Sequence, residues 1–291
     1  MPHGYRQGCA VRRLPKQAVR VKNGLRVVKM ENRVLLLTST IKPLSPYDKG
    51  KRSDPLIRLD DYKKSLQKYL NIESKYIDGI VYCDNSGYDL DVLKEVAECS
   101  KTTLPIEFLS YIEPPPPKGV HYGYCELMLI RHALSRSELL RSSSHFLKIT
   151  GRLYFGRIDH LLESVPTPCM ALVDHRGIHR RESGLPLRAR TQLMLFNRDF
   201  YINRIDSLLD LMPERRDSHI EEFIAYCLFK AGCELDSRDI YYRFLVDCDP
   251  SGIAGNGFNY DGFSSRLKRF MGKHLRQLLP ALYASILVSI L

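Results

Sequence analysis

The chain has 291 residues, of which 44% are hydrophobic and 26% are charged, which is ample for the core of one large or two smaller globular domains. Its 44 Lys and Arg residues outnumber 33 Asp and Glu residues by 11, so we expect an anionic partner: nucleic acid, a phosphate-bearing substrate or an acidic membrane surface. The eight cysteines are scattered without a C-x-x-C pair, which argues against a disulfide framework and for a reducing compartment.

The two ends of the chain differ in composition from the rest. Residues 1–30 carry eight Lys and Arg and no acidic residue, which predicts a flexible basic arm before a domain at 31–265. Residues 266–291 form a basic amphipathic and then apolar tail, whose last eleven residues are too few to cross a bilayer as a helix. The tail is typical of a segment on an anionic membrane face, or of a helix packed on the core or on a second subunit. No secretory signal is visible, so we expect a cytoplasmic protein, peripheral on the inner face of the membrane if the tail binds there.

Apolar runs typical of strands alternate with helical patterns along the domain. Strands are predicted at 33–41, 79–83, 105–109, 145–149, 168–173 and 191–196. Helices are predicted at 58–70, 88–100 and 126–140, with further helical patterns from 199 to about 231, and prolines 114–117 predict an extended loop. This alternation favours an α/β fold with a mostly parallel sheet.

Polar residues lie at the ends of four predicted strands or directly after them. They are Thr38-Ser39-Thr40, Asp84-Asn85-Ser86, Thr150-Gly151-Arg152 and Asp174-His175-Arg176. Because ligands bind outside the carboxyl ends of the strands in open α/β sheets, these four ends together predict a binding site.

The fourth strand end has the chemistry of a phosphate site. Lys148 and Arg152 supply positive charge and forked hydrogen bonds, and Gly151 is predicted to let a bulky ligand approach the backbone. The chain has neither a P-loop nor a G-x-G-x-x-G motif after the first strand, which disfavours the common ATP and dinucleotide enzymes. A sugar nucleotide remains as the expected ligand.

Six segments resemble, in order and spacing, a family of bacterial surface-polysaccharide glycosyltransferases of the O-antigen, capsule and lipooligosaccharide type. They are LLLTSTIKP (35–43), DPLIRLDDYKKSL (54–66), YCDNSGYDL (82–90), IEFLS (106–110), GYCE (123–126) and KITGR (148–152). The resemblance covers residues 33–160 and extends more loosely to about 260. Cys125 stands where the family pattern has glycine, so we expect the backbone of that loop to differ.

The resemblance implies a GT-A-like fold, a mostly parallel sheet flanked by helices, with a helical C-terminal part. It implies transfer of a hexose, with galactose-type favoured, from a UDP-sugar to a saccharide or lipid-linked saccharide acceptor. The donor-binding residues that we predict are Thr38, Thr40, Arg58, Asp84, Asn85, Ser86, Lys148, Thr150, Gly151 and Arg152.

Charge develops on the departing diphosphate during glycosyl transfer and must be neutralised. Many GT-A enzymes use a D-x-D motif and a divalent metal, whereas KITGR occupies that strand end here. We therefore predict that Lys148 and Arg152 replace part of the metal's role and that no metal is required. Mn²⁺ or Mg²⁺ at the late Asp247-Cys248-Asp249 motif is the alternative, and His175 and His179 are better interpreted as a solvated loop.

An inverting transferase needs a general base near the acceptor hydroxyl. Asp217 or Ser218 is predicted to cap a helix whose first turn holds Glu221 and Glu222, where the helix dipole favours ionised carboxylates. These two residues are the candidates for the catalytic base. The alternative is that they only stabilise the helix by complementing its dipole. Asp174 is the reserve candidate, and a retaining enzyme would need no such base.

The glycine-rich segment 250–262 is interpreted either as a surface loop or as a flap that closes over the donor, with Tyr260 or Asp261 touching the sugar. Two other classes of function stay open. The basic arm would suit a nucleic-acid-binding protein, although no recognised motif supports it and nucleic acid is disfavoured as a partner. The tail would suit a non-catalytic membrane-peripheral scaffold.

Overall fold

The computed structural model describes residues 32–43, 52–118, 120–121, 123–175, 188–212, 219–235, 238–254 and 257–262. The predicted arm and tail lie outside these residues, as do Arg176, His179, Asp217 and Ser218.

The described residues form nine strands and seven α-helices. The strands are β1 (Arg33–Ser39), β2 (Gly79–Asp84), β3 (Ile106–Ser110), β4 (His145–Thr150), β5 (Leu153–Tyr154), β6 (Ala171–Val173), β7 (Leu193–Asn197), β8 (Ile240–Tyr241) and β9 (Ser251–Gly252). The helices are α1 (Pro55–Leu70), α2 (Asp91–Glu98), α3 (Gly123–Arg136), α4 (Glu138–Ser142), α5 (Ile158–Glu163), α6 (Arg198–Arg204) and α7 (Ile220–Leu235), and a 3₁₀ helix spans Asp206–Leu211.

Seven strands form one sheet in the order β3-β2-β1-β4-β7-β6-β8. Strands β1, β2, β3 and β4 are parallel, β7 is antiparallel to both β4 and β6, and β6 is parallel to β8. Two antiparallel pairings in succession leave β6 running in the same direction as β4. Strands β5 and β9 form a separate antiparallel pair, which we call the β5–β9 ribbon. The prediction of an α/β fold with a mostly parallel sheet flanked by helices is confirmed.

The predicted elements agree with the structure except at two places. The helix predicted at 126–140 is two helices, because the Ser137 side chain accepts a hydrogen bond from the Leu140 backbone N–H and caps a new helix. The strand predicted at 168–173 is only β6, which begins at Ala171. The start of α1 follows its sequence signals, with Asp54 as the N-cap and Pro55 in the first turn.

The core has two layers, one on each face of the sheet. Alternate residues of β1 point to opposite faces, so Val34 and Leu36 pack with α3 and α7, while Leu35 and Leu37 pack with α1 and α2. Among the described residues, no helix is long and apolar enough to cross a membrane. The seven described cysteines are all free thiols.

Candidate active site at the strand ends

The carboxyl ends of β1, β2, β4 and β6 lie along one edge of the sheet, since these strands run in the same direction. The four predicted polar strand ends therefore meet, as far as their residues are described. Thr191, which was not predicted as a site residue, lies at the same edge. Strand β7 is antiparallel to β4, so the amino end of β7, just after Thr191, is at this edge. Asp174 follows β6 at the same edge.

Asp84 is a fully buried carboxylate that ties the ends of β1 and β2 together. One of its oxygens accepts hydrogen bonds from the Ser39 hydroxyl at 2.7 Å and the Ile41 backbone N–H at 2.9 Å. The other accepts from the Ser86 backbone N–H at 2.8 Å and the Ser86 hydroxyl at 2.5 Å. With four donors on two oxygens, Asp84 shapes the loops around the site, and its predicted contact with the donor stays a prediction.

The predicted donor-binding residues Thr40, Asn85 and Arg58 form a second local network. The Thr40 hydroxyl donates to the Asn85 side-chain oxygen at 2.6 Å, and the Tyr62 hydroxyl accepts from the Thr40 backbone N–H at 3.1 Å. Arg58 is buried and donates to the backbone oxygens of Thr40 at 2.7 Å and Arg52 at 3.1 Å. Arg58 therefore fastens the start of α1 to the end of β1.

Lys148 is fully buried and held by three protein oxygens. Its ammonium donates to a Glu126 carboxylate oxygen, to the Thr191 backbone oxygen at 2.7 Å and to the Thr150 hydroxyl at 3.3 Å. The same Glu126 oxygen also accepts from Thr38 at 3.2 Å and Thr150 at 3.4 Å. Burial lowers the pKa of Lys148, against the opposing effect of the nearby Glu126 and Glu221 carboxylates.

Lys148 and Arg152 contact opposite layers of the molecule, which the prediction of one shared clamp did not foresee. Lys148 pairs in register with Leu36 and so faces the layer of α3 and α7. Arg152 lies past the strand end, with its guanidinium carbon 6.0 Å from the centre of the Tyr62 ring on α1. Because side chains alternate along a strand, a cation inside β4 and a cation beyond its turn need not point the same way.

Gly151 allows a close approach, but to the protein's own backbone. Its N–H donates to the Thr38 backbone oxygen at 2.8 Å, and a Cβ at this position would also lie 2.8 Å from that oxygen. Because glycine has no Cβ, the ends of β4 and β1 can approach closely enough to form this hydrogen bond. This contact requires glycine by itself, and the predicted approach of a ligand to Gly151 stays a prediction.

Arg152 has two guanidinium nitrogens, Nε and Nη1, that are buried and make no hydrogen bond within the described part of the chain. Buried donors without acceptors cost free energy, so such groups indicate a site where a ligand supplies the missing acceptors. Its positive charge also acts on Asp61 of α1. Burial raises the pKa of Asp61, and the Arg52 and Arg152 guanidiniums partly offset that increase. Arg152 is the predicted phosphate-binding residue whose placement fits that role.

Glu221 and Glu222 both lie in the first turn of α7, as predicted. They have different surroundings. Glu222 is buried and accepts from Arg188 at 2.8 and 3.1 Å, so its charge is neutralised. Glu221 has one buried carboxylate oxygen, Oε2, with no hydrogen-bond partner among the described residues, and its charge is felt by Lys148. Of the two predicted bases, Glu221 has the oxygen that can accept a substrate proton.

Two histidines flank the start of α7 and were not predicted as site residues. The rings of His121 and His219 are 4.2 Å apart, and the His121 Nδ1 atom accepts from the Gly123 backbone N–H at 3.1 Å. Burial, His219 and Arg188 together lower the pKa of His121 to about 4. His121 is therefore a neutral imidazole at pH 7.

Asp174, the reserve base, is buried at the end of β6, where its backbone oxygen accepts from the Arg190 N–H at 2.8 Å. Its neighbour His175 is also buried, with its Nδ1 atom 2.9 Å from the Val173 backbone oxygen, so the prediction that His175 lies in a solvated loop is wrong. Burial lowers the pKa of His175.

The late D-x-D motif does not form a metal site among the described residues. Cys248 between the two carboxylates is buried, and an Asp249 oxygen is 3.9 Å from an Arg190 guanidinium nitrogen. No group of three or more His, Cys, Asp or Glu side chains in the described ranges could hold a metal ion.

Glu126 is the central residue that sequence reasoning missed. It lies within the GYCE segment and in the first turn of α3, which are signals that pointed to this position. Its bonds to Thr38 and Lys148 join residues 88 and 22 positions apart, so only the folded chain brings them together.

Comparison with known proteins gives likenesses in fold only. No protein-family model and no curated protein matches the sequence. A mannosyltransferase from Pyrobaculum calidifontis, solved with GDP-Man and Mn²⁺, is similar at 10% identity and a TM-score of 0.42, over 75% of this chain and 56% of that one. This chain thus spans little more than half of its length.

Two further solved structures are similar at the same level. A 4-diphosphocytidyl-2C-methyl-D-erythritol synthase from Anaerococcus prevotii has 10% identity and a TM-score of 0.41, over 84% of this chain and 96% of that one. A glycosyltransferase involved in glycosylation of the major capsid of PBCV-1 has 10% identity and a TM-score of 0.36, over 72% and 80% of the two chains. Likenesses this distant do not identify a substrate.

Proposed function

We propose that this protein is a glycosyltransferase of bacterial surface-polysaccharide synthesis, which moves a hexose of galactose type from a UDP-sugar to a saccharide or lipid-linked saccharide acceptor with inversion. The observation that carries the proposal is Glu221, a carboxylate with a buried, unpartnered oxygen at the polar edge of the sheet. Arg152, with two unpartnered guanidinium donors, lies at the end of β4 on the same edge. Glu221 comes from the α7 layer and Arg152 lies on the α1 layer, and together they would supply the base and the cation that inverting glycosyl transfer needs.

Glu221 accepts the proton of the acceptor hydroxyl, whose oxygen forms a bond to the anomeric carbon. The bond from that carbon to the diphosphate oxygen breaks, and its electron pair leaves with the nucleoside diphosphate. Arg152 stabilises this developing charge through forked hydrogen bonds.

The remaining polar residues position these two groups. Glu126 holds the buried Lys148 ammonium and the hydroxyls of Thr38 and Thr150, and so fixes the ends of β1 and β4. The Glu221 carboxylate is near enough to Lys148 for its charge to oppose the lowering of the Lys148 pKa by burial.

The test is a panel of UDP-, GDP-, CMP- and dTDP-sugars scored by thermal unfolding, with EDTA and with added Mn²⁺. We expect a UDP-sugar to raise the unfolding temperature in EDTA, with about 2.7 kcal/mol of stabilisation at a hundredfold excess over Kd. A shift that requires Mn²⁺ would redirect attention to Asp247 and Asp249. If no nucleotide shifts the transition, the proposal fails, and the basic arm should be tested against nucleic acid.

A further inference from the structure

A cavity of about 300 Å³ lies beside α1, between that helix and the β5–β9 ribbon. Arg152 lines it where it adjoins the end of β4, and the lining continues along α1 to Lys68. Its volume is at the lower end of the range for small-molecule sites and suits one or two sugar rings.

Most charges in this cavity are already compensated. Lys64 contacts Asp60 at 2.5 Å, and Arg52 contacts Asp61 at 3.5 Å. The third carboxylate of the lining, Asp261, accepts a hydrogen bond from the Gly252 backbone N–H at 2.8 Å. These three carboxylates are set against four cations of the lining, Arg52, Lys64, Lys68 and Arg152, so the cavity is close to neutral and suits an uncharged ligand.

The cavity offers hydrogen-bond donors and acceptors side by side. The buried Asp61 Oδ2 atom lies 3.5 Å from an Arg52 guanidinium nitrogen but makes no hydrogen bond, so it can still accept one, while Arg152 Nε and Nη1 need acceptors. A hydroxyl group supplies both, whereas an ionised phosphate only accepts. Tyr154 and Asn259 add an aromatic ring and an amide to the lining.

We propose that this cavity binds a neutral saccharide unit. The inference rests on the proposed function for its biological meaning, because a polysaccharide-forming transferase handles sugar on both of its substrates. The unit is either the hexose of the donor, next to the diphosphate held by Arg152, or a sugar of the acceptor. The two sources share one chemistry, adjacent hydroxyls on a ring, and experiment separates them.

The test compares Asp61→Asn and Lys68→Gln with the full-length wild-type protein, using UDP, UDP-galactose, free galactose and lactose as probes. Lys68 is exposed in the cavity lining, so its replacement is not expected to disturb folding. Lys63→Gln is the matched control, because Lys63 lies on the same helix outside the cavity. Binding is measured by calorimetry for the nucleotides and by saturation-transfer NMR for the free sugars.

If the donor hexose occupies the cavity, Asp61→Asn weakens UDP-galactose about tenfold and leaves UDP unchanged, the size expected for one hydrogen bond to a charged group. If an acceptor sugar occupies it, the variant weakens galactose or lactose about tenfold and leaves both nucleotides unchanged. Either pattern supports the inference, provided that Lys63→Gln behaves as wild type.

Unchanged binding of every sugar-bearing probe in a folded Asp61→Asn and in Lys68→Gln would overturn the inference. Failure of the proposed function is distinct, since it appears as no UDP or UDP-galactose binding to the wild-type protein. In that case the measurements with free galactose and lactose still test whether the cavity binds a sugar.

Discussion

The Arg152 guanidinium has buried donors without protein partners, so its loss should affect ligand chemistry more than folding. Arg152→Ala is expected to lower kcat/KM for UDP release from UDP-galactose about a hundredfold, or ~3 kcal/mol of transition-state stabilisation. Arg152→Lys should recover only part, because an ammonium cannot reproduce the fork. The exposed Arg157 gives the control variant Arg157→Ala. Wild-type turnover by a folded Arg152→Ala protein would remove Arg152 from the mechanism.

Glu221 and Glu222 are neighbours with opposite expected phenotypes. Glu221→Gln should reduce turnover by about 10²–10⁴-fold, the usual contribution of a general base, with an unchanged unfolding temperature. Glu222→Gln weakens the buried pair with Arg188 and should lower the unfolding temperature instead. Steady-state UDP release and thermal unfolding of both variants separate the two roles. Equal turnover in Glu221→Gln and wild type would show that Glu221 is not the base.

At the scale of secondary-structure elements, Asp84 joins the loops that follow β1 and β2 by four hydrogen bonds. Asp84→Ala leaves those donors without an acceptor in a buried place, and we expect a loss of about 3 kcal/mol in the free energy of unfolding. Urea unfolding measures it, with the exposed Glu95→Ala of α2 as the control. A loss no larger than that of Glu95→Ala would mean that the two loops are held by other contacts.

The elements themselves were largely predictable. Apolar runs and helical spacing located the strands of the main sheet up to β7 and the long helices, because each pattern arises from the chain's own geometry. The division at Ser137 was missed, although serine is a common N-cap, because the apolar pattern continues across it. The two-residue strands β5, β8 and β9 have no periodicity to detect, and they form only because a partner strand is near.

At the scale of the whole molecule, four buried or half-buried histidines of the described residues contribute to the response to acid. Burial lowers the pKa of His121, His132, His145 and His175 below the ordinary value of 6.5. The unfolded chain therefore binds protons between pH 6.5 and the lowered values, while the folded protein does not, and stability falls as the pH falls through that window. Burial raises the pKa values of Asp61 and Glu113, so these two groups have the opposite effect on stability. Their ordinary pKa values of 3.8 and 4.5 lie below the ordinary histidine value, so their effect begins at lower pH.

We expect the free energy of unfolding to be lower at pH 5 than at pH 7, and His121→Gln to reduce that difference, since the pKa of His121 is lowered to about 4. Urea unfolding at both pH values measures it. The exposed His160→Gln is the control and should keep the wild-type difference. An identical pH dependence in His121→Gln and wild type would contradict the assignment.

The sequence by itself determined the α/β class and the strand ends that meet at one edge, and it offered Glu221, Glu222 and Asp174 as candidate bases and Lys148 and Arg152 as candidate cations. These follow from local patterns and from the rule that parallel strands share an edge. Only the tertiary structure decided that Lys148 is enclosed by Glu126, that Gly151 contacts Thr38, and that a cavity lies beside α1. Those outcomes depend on which distant side chains fill the space around each residue, and a local pattern carries no information about them.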